Sequence, residues 1–395
     1  MRRTRSTVPV ALLAVGLAGA GVAAAAPAKV LPQTGAPKVP RGLHVLARSL
    51  DNPRSVAVGP NGAVFVAEAG HGQADANACQ PDPDYATSCL GLTGAVTRIT
   101  RAGRQRVLTG LPSLADHGGA GASGPAGIAL DPKHQRMTVV IQWGSTRPDE
   151  VAAVGPKADL LGHPLTVSMP GKGSFRLKGP NIRGYEYDHN PDHGAGSEPG
   201  PAAEDSDPYA VATYGTGFVV ADAGANDLFY VDQDSRLHLL AVFPTIAEHY
   251  ADGSAAVAQS VPDAVTVGPD GAIYVGELTG FPFNTGKSRI WRVVPGHRPT
   301  VYASGFTAIS SLAFDPQGRL LVLEIDTKHI SDPSAPGALI RLDKEHRTRT
   351  VLAQRGLSFP TGVAVAPDGT IYIANHGSSP ASGDGPHGEL LSLRL

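Results

Sequence analysis

Apolar and polar residues alternate along this chain in short runs that end at Gly/Pro turns, and one such run keeps returning. PRSVAVGPNGAVFVAEAG (53–70), PDAVTVGPDGAIYVGELTG (262–280), ISSLAFDPQGRLLVLEID (309–326) and PTGVAVAPDGTIYIANHG (360–377) are clear copies. PAGIALDPKHQRMTVVIQWG (125–144) and PYAVATYGTGFVVADAG (208–224) are weaker ones. Each copy holds two short runs rich in β-branched residues, which predict strands, and the turn joining them predicts a hairpin. Pro presets φ at the first turn position, and Gly tolerates the positive φ that closes it.

A second hairpin follows the first. Its inner partner reads GAVTRIT (94–100), DLFYVD (227–232), SRIWRVV (288–294) and GALIRLD (337–343). Its outer partner reads RQRVLTG (104–110), LHLLAVF (237–243), TVYASG (300–305) and RTVLAQRG (349–356). In the second unit the same pair is placed within 159–186. Six units of four antiparallel strands predict an all-β, six-bladed β-propeller over residues 42–395. The last unit stops after its third strand, GELLSLRL (388–395), and LHVLARS (43–49) supplies the fourth. Pairing the N-terminal strand with the C-terminal blade closes the ring and covers the edge between first and last blades.

The turns inside the hairpins are short, whereas the long insertions fall on the opposite face: 69–93, 111–124, 143–158, 187–207, 244–261, 278–287, 326–336 and 375–387. Long loops gathered on one face of a rigid scaffold mark it as the working face. Aligning the ends of the second strands places Glu68, Gln142, Asp222, Glu277, Glu324 and Asn375 in one register, all carboxylates or carboxamides. The starts of the first strands put Arg54, Ala126, Tyr209, Asp263, Ser310 and Thr361 beside the same mouth. Two readings of the polar ring stand. Its members cap nearby loop amides, or Glu68, Asp222, Glu277, Glu324 and Asn375 converge on a hard cation such as Ca²⁺, which takes six to eight oxygen ligands.

Composition narrows the classes. With 48 Gly and 34 Pro the chain is built of turns rather than long helices. A formal charge of −2 argues against non-specific nucleic-acid binding. Arg2, Arg3 and Arg5 precede a small apolar run from Val8 to Ala26, the layout of a secretory signal peptide. Residues 1–26 are therefore expected to be removed on export, leaving 27–41 as a linker. Their loss takes away three Arg and no acid, which moves the formal charge from −2 to −5. No later stretch reads as a membrane span. In an oxidising compartment Cys79 and Cys89, in a Pro-rich loop, are expected to form a disulfide. Gly119 to Gly124 matches G-x-G-x-x-G but is followed by Pro125 and a strand, so it reads as loop. His71, His117, His376 and His387 fall on the long loops and read as solvated. Trp143 and Trp291 read as packing residues.

Val66-Ala67-Glu68-Ala69-Gly70, Tyr185-Glu186 before Asn190-Pro191-Asp192, and Asp222-Ala223-Gly224-Ala225-Asn226 ahead of Ala241-Val242-Phe243-Pro244 resemble the ScyD/ScyE family of exported propellers. The resemblance spans roughly 42–395, and more broadly the chain is similar to NHL-type and gluconolactonase-like six-bladed propellers. It implies secretion and a propeller, and brings no catalytic residues with it. Asp207-Pro208-Tyr209 departs from the Asn-Pro-Tyr expected there.

The sequence reading is thus a secreted, monomeric binding or scaffold protein that takes a small molecule, glycan or protein at the loop-rich tunnel mouth. The alternative is a calcium-dependent hydrolase or lactonase using the polar ring. A cofactor-dependent sugar dehydrogenase ranks last, since no cationic or aromatic cofactor seat is located. Whether the chain is an enzyme stays open at this level, because the fold hosts many chemistries.

Overall fold

In the computed structural model, which describes residues 42–73, 79–82, 86–143, 155–170, 176–196, 205–328, 330, 335–343, 348–377 and 387–395, each repeat turn reverses the chain between two paired strands. The turn glycines Gly62, Gly271, Gly318 and Gly369 all sit at φ between 71° and 81°, where an L side chain is strained. Pairing then runs antiparallel from the inner strand outwards, as in blade 3: Pro208–Tyr214, Gly217–Asp222, Asp227–Val231 and Leu237–Val242.

The inner strands are Pro53–Val58, Pro125–Asp131, Pro208–Tyr214, Pro262–Val267, Ile309–Phe314 and Gly362–Val365. Each lies against the next and the last lies against the first, so six sheets radiate from one axis. This is the six-bladed β-propeller. The sixth sheet is completed by His44–Leu50, which pairs with Gly388–Leu393, setting His44 opposite Ser392 and Leu50 opposite Gly388.

The core lies between the blades rather than at the axis. Phe65, Val96 and Leu111 of blade 1 meet Ile128, Val139 and Trp143 of blade 2. Val140 and Ile182 meet Val220 and Phe229 between blades 2 and 3, and Val219 and Phe243 meet Val275 and Trp291 between blades 3 and 4. Leu50, Val66, Ala374 and Leu390 seal blade 6 to blade 1. Both tryptophans are packing residues, as their sequence context predicts.

The long insertions carry more order than their polarity suggests. Blade 2 has its outer strands at His163–Ser168 and Arg176–Lys178, and the rest of the 159–186 window turns into a helix, α1 (Ile182–His189). Asn181 caps α1 by accepting the Gly184 amide at 3.1 Å, and buried Ile182 pins it between the blades. The 244–261 insertion contains a hairpin, Ile246–His249 with Ala255–Ala258. Cys79–Asp82 pairs with the long strand Ala86–Thr100. Among the described residues no helix is long and apolar enough to cross a membrane. The expected signal peptide (1–26) and linker (27–41) lie outside the described residues.

Candidate functional site

The register-matched polar ring repeats one hydrogen-bonding arrangement. Glu68 Oε2 accepts the Asp51 amide at 2.7 Å, Glu324 Oε1 the Thr307 amide at 2.8 Å, and Asn375 Oδ1 the Ser358 amide at 2.9 Å. Glu277 Oε1 accepts the Ser260 hydroxyl at 2.7 Å, and Asp222 accepts the Ser206 hydroxyl and the Asp207 amide, both at 2.6 Å. In blades 1, 4, 5 and 6 the partner stands 17 residues upstream, on the segment entering the same blade. Gln142 is the exception: its Nε2 donates to Asp207 Oδ2 at 3.0 Å, one blade away. The carboxylates are buried, and burial pushes Asp222 and Glu324 each up to about 7.

These groups therefore hold loops to strands. Among the described residues, the only three candidate metal-ligand atoms lying within 4.8 Å of one another belong to Cys79, Cys89 and His117. Cys79 and Cys89 form the expected disulfide, and His117 Nε2 lies 4.0 Å from the Cys89 sulfur. Glu68, Asp222, Glu277 and Glu324 do not form such a group among the described residues, and Asn375 takes up the Ser358 amide. Of the loop histidines, His71 is not simply solvated, since its Nδ1 lies 2.7 Å from Asp51 Oδ2.

The starts of the inner strands do converge. Ser310 Oγ donates to the Pro360 carbonyl at 2.8 Å, and Thr361 Oγ1 to the Pro53 carbonyl at 2.7 Å, each stitching its blade to the next. Arg54 is buried with both terminal nitrogens on main-chain carbonyls, Nη1 on Gly377 at 2.7 Å and Nη2 on Ala122 at 2.6 Å. Its guanidinium locks the loops on either side of blade 1.

Three further side chains reach the same place. Asp207, just before the inner strand of blade 3, is pushed up to about 6 by burial, with Gln142, the Trp143 amide and Arg54 pulling back. Asp263 of blade 4 is only 8% exposed and is raised well above the usual carboxylate range by burial and by Asp207, against the pull of Arg54. The Tyr209 phenol is raised by burial and by Asp263 and Asp207, and lowered by Arg54. Blades 1 and 4 stand opposite each other in a ring of six, so Arg54 acts on Asp263 across the propeller axis. Asp263 has no hydrogen bond or ion pair among the described residues, and neither has the Tyr209 hydroxyl. A half-satisfied polar cluster on the axis, under the long loops, is where this propeller presents uncommitted chemistry.

Sequence register alone places Arg54, Tyr209 and Asp263 at this mouth. It misses Asp207, whose signal was the Asp-Pro-Tyr departure: the carboxylate bonds Gln142 and senses Arg54.

No protein-family model and no curated protein matches the chain. Solved structures do resemble it. One is a protein of unknown function from Bacteroides thetaiotaomicron, at 10% identity and TM-score 0.52, over 90% of this chain and 73% of that one. Another is a Thermus thermophilus protein named a putative oxidoreductase (glucose dehydrogenase), at 15% identity and TM-score 0.49, over 89% and 99%. A virginiamycin B lyase from Staphylococcus aureus aligns at 12% identity and TM-score 0.44, over 90% and 99%. At such identities the likeness is one of fold alone.

Proposed function

We propose that the chain is an exported ligand-binding propeller that takes a small polar molecule at the axial mouth of its loop-rich face. The observation that carries this reading is the meeting of Arg54, Asp207, Tyr209 and Asp263 from three blades, with the Asp263 carboxyl and the Tyr209 hydroxyl uncommitted. Elsewhere at the mouth, Ser310 and Thr361 are already bonded to main chain. Export through residues 1–26 and kinship with the ScyD/ScyE propellers belong to the same proposal. The calcium-dependent hydrolase reading is less well supported, because the ring oxygens it needs accept hydrogen bonds from loop and side-chain donors.

The test is a thermal-shift and calorimetry screen of the secreted chain against amines, sugars, lactones and phosphoesters. A hit is expected to weaken at least tenfold in Asp263→Asn and in Tyr209→Phe, with both variants still melting cooperatively. Hits indifferent to both substitutions would move the site away from the axial mouth. Turnover of a lactone would restore the enzyme reading.

A further inference from the structure

We infer that the axial mouth recognises a protonated amine, held by Asp263 and Asp207 beside the Tyr209 ring. The inference rests on the reading of this mouth as the ligand site. Two carboxyl groups, Asp207 and Asp263, face one guanidinium there, so the cluster carries one acid beyond what its single cation offsets. That cation is not free to clamp either acid. Arg54 Nη1 and Nη2 are held by the Gly377 and Ala122 carbonyls, so the guanidinium offers charge at a distance rather than a carboxylate fork.

Each acid keeps unfilled acceptor capacity. Asp207 Oδ2 accepts Gln142 Nε2 at 3.0 Å, while Oδ1 is buried with no donor among the described residues. Asp263 is more than nine-tenths buried and has neither hydrogen bond nor ion pair among the described residues. At the same register in blades 5 and 6, Ser310 and Thr361 carry a hydroxyl that donates to the next blade's carbonyl. Once ionised, a carboxylate in that position has no proton to give. It calls instead for a donor arriving from the axial mouth. A buried acid of this kind is stabilised by a paired cation, and an ammonium supplies both the charge and up to three N–H donors. Tyr209, two residues after Asp207 on blade 3, adds an acceptor hydroxyl and an aromatic surface suited to an alkylammonium.

The charged and titratable groups that face Asp263 are Arg54, Asp207 and Tyr209, and burial and Asp207 raise its pKa in the free protein against the pull of Arg54. An arriving ammonium favours the ionised carboxylate, so binding tightens and protons are released as pH rises through the range where Asp207 and Asp263 titrate, while an aliphatic amine stays charged. A neutral hydroxylated ligand would release no proton.

The experiment is calorimetry on the full exported chain with 1,4-diaminobutane and phenethylamine, alongside glucose and calcium chloride, at pH 6 and pH 8. Each titration is repeated in two buffers of different ionisation enthalpy to count released protons. The expected result is saturable amine binding, at least tenfold tighter at pH 8, with proton release that Asp263→Asn abolishes while its melting temperature holds. Tyr209→Phe, which keeps the ring, is expected to weaken the amine less than Asp263→Asn does. Glucose or calcium binding that Asp263→Asn removes, with no amine binding, would overturn the cationic assignment and leave the axial-mouth site intact. Failure of every probe would overturn the site as well.

Discussion

The indole Nε1 of Trp291 donates to Glu277 Oε1 at 2.7 Å, and with that bond the Glu277 carboxylate is fully occupied. Oε1 also accepts Ser260 Oγ and Arg289 Nη2, and Oε2 accepts the Arg289 amide and Nε, all between 2.7 and 2.9 Å. The residue that best exemplifies the polar ring is thus a buried hub joining the segment entering blade 4 to its third strand.

Replacing that hub has a clear cost. Glu277→Gln keeps the shape but turns half the acceptor into a donor facing donors, and leaves the Arg289 charge partly buried. Breaking such a pair from one side costs about 3 kcal/mol, read as a lower urea midpoint. Trp291→Phe, which removes one donor, is expected to cost about 1 kcal/mol. The same geometry predicts equal melting temperatures in calcium and in EDTA. A chelator-sensitive transition that Glu277→Gln abolishes would instead make the ring a metal site.

Asp227 presents the opposite case. It is fully buried, neither carboxyl oxygen has a hydrogen-bond donor among the described residues, and it stands across the strand pair from Asp222. Burial, then Asp222, Glu186 and Asp192, raise its pKa far above the ordinary value. The folded state therefore keeps a proton that the unfolded chain surrenders near pH 4. That stabilisation is complete below the unfolded pKa and is lost as pH rises towards the folded one, at about 1.4 kcal/mol per pH unit for one proton. Asp227→Asn should raise the melting temperature at pH 8 and flatten the stability profile between pH 5 and 8. A variant less stable than the parent at pH 8 would show that Asp227 holds a charge the fold needs.

What the sequence made legible follows from what repeats. Hairpin period, turn glycines and the missing fourth strand of the last blade are local signals written six times, and the blades and ring closure follow from them. Helix α1 is written once, in a Gly- and Tyr-containing stretch with no apolar period, and its order comes from Ile182 entering an interface that only the folded ring creates. Register likewise brings Glu68, Asp222, Glu277, Glu324 and Asn375 into one row without saying where their oxygens point. Pointing is set by donors 17 residues upstream, which in blades 1, 5 and 6 are main-chain amides and so leave no side-chain pattern to read. Asp207 escaped the register because it precedes its strand.

The Cys79–Cys89 disulfide ties Cys79–Asp82, an extra strand at the edge of the blade 1 sheet, to the long third strand of that blade. Closing so short a loop contributes at most about 3 kcal/mol by the chain-entropy argument, and the strand it secures is peripheral. Reduction is therefore expected to open this excursion locally. Limited proteolysis with mass spectrometry should find new cuts between 79 and 89 under dithiothreitol, while the main thermal transition moves by only a few degrees. Loss of the whole transition on reduction would mean that the bridge supports the ring itself.

Ring closure depends on a contact between the two ends of the described chain. His44–Leu50 covers the edge of Gly388–Leu393, and Leu50 is buried with Val66 of blade 1 and Leu390 of blade 6. Without it the last blade keeps three strands, and an unpaired, largely apolar edge faces solvent, a template for association with other chains. A chain beginning at Asp51 should elute as oligomers in size-exclusion chromatography and melt well below the parent. A synthetic peptide of residues 42–50 added in trans should restore the parent's elution volume, because the missing element is one strand, which sets Leu50 opposite Gly388. A shortened chain that keeps the parent's elution volume and melting temperature would show that five complete blades hold the sixth without its outer strand.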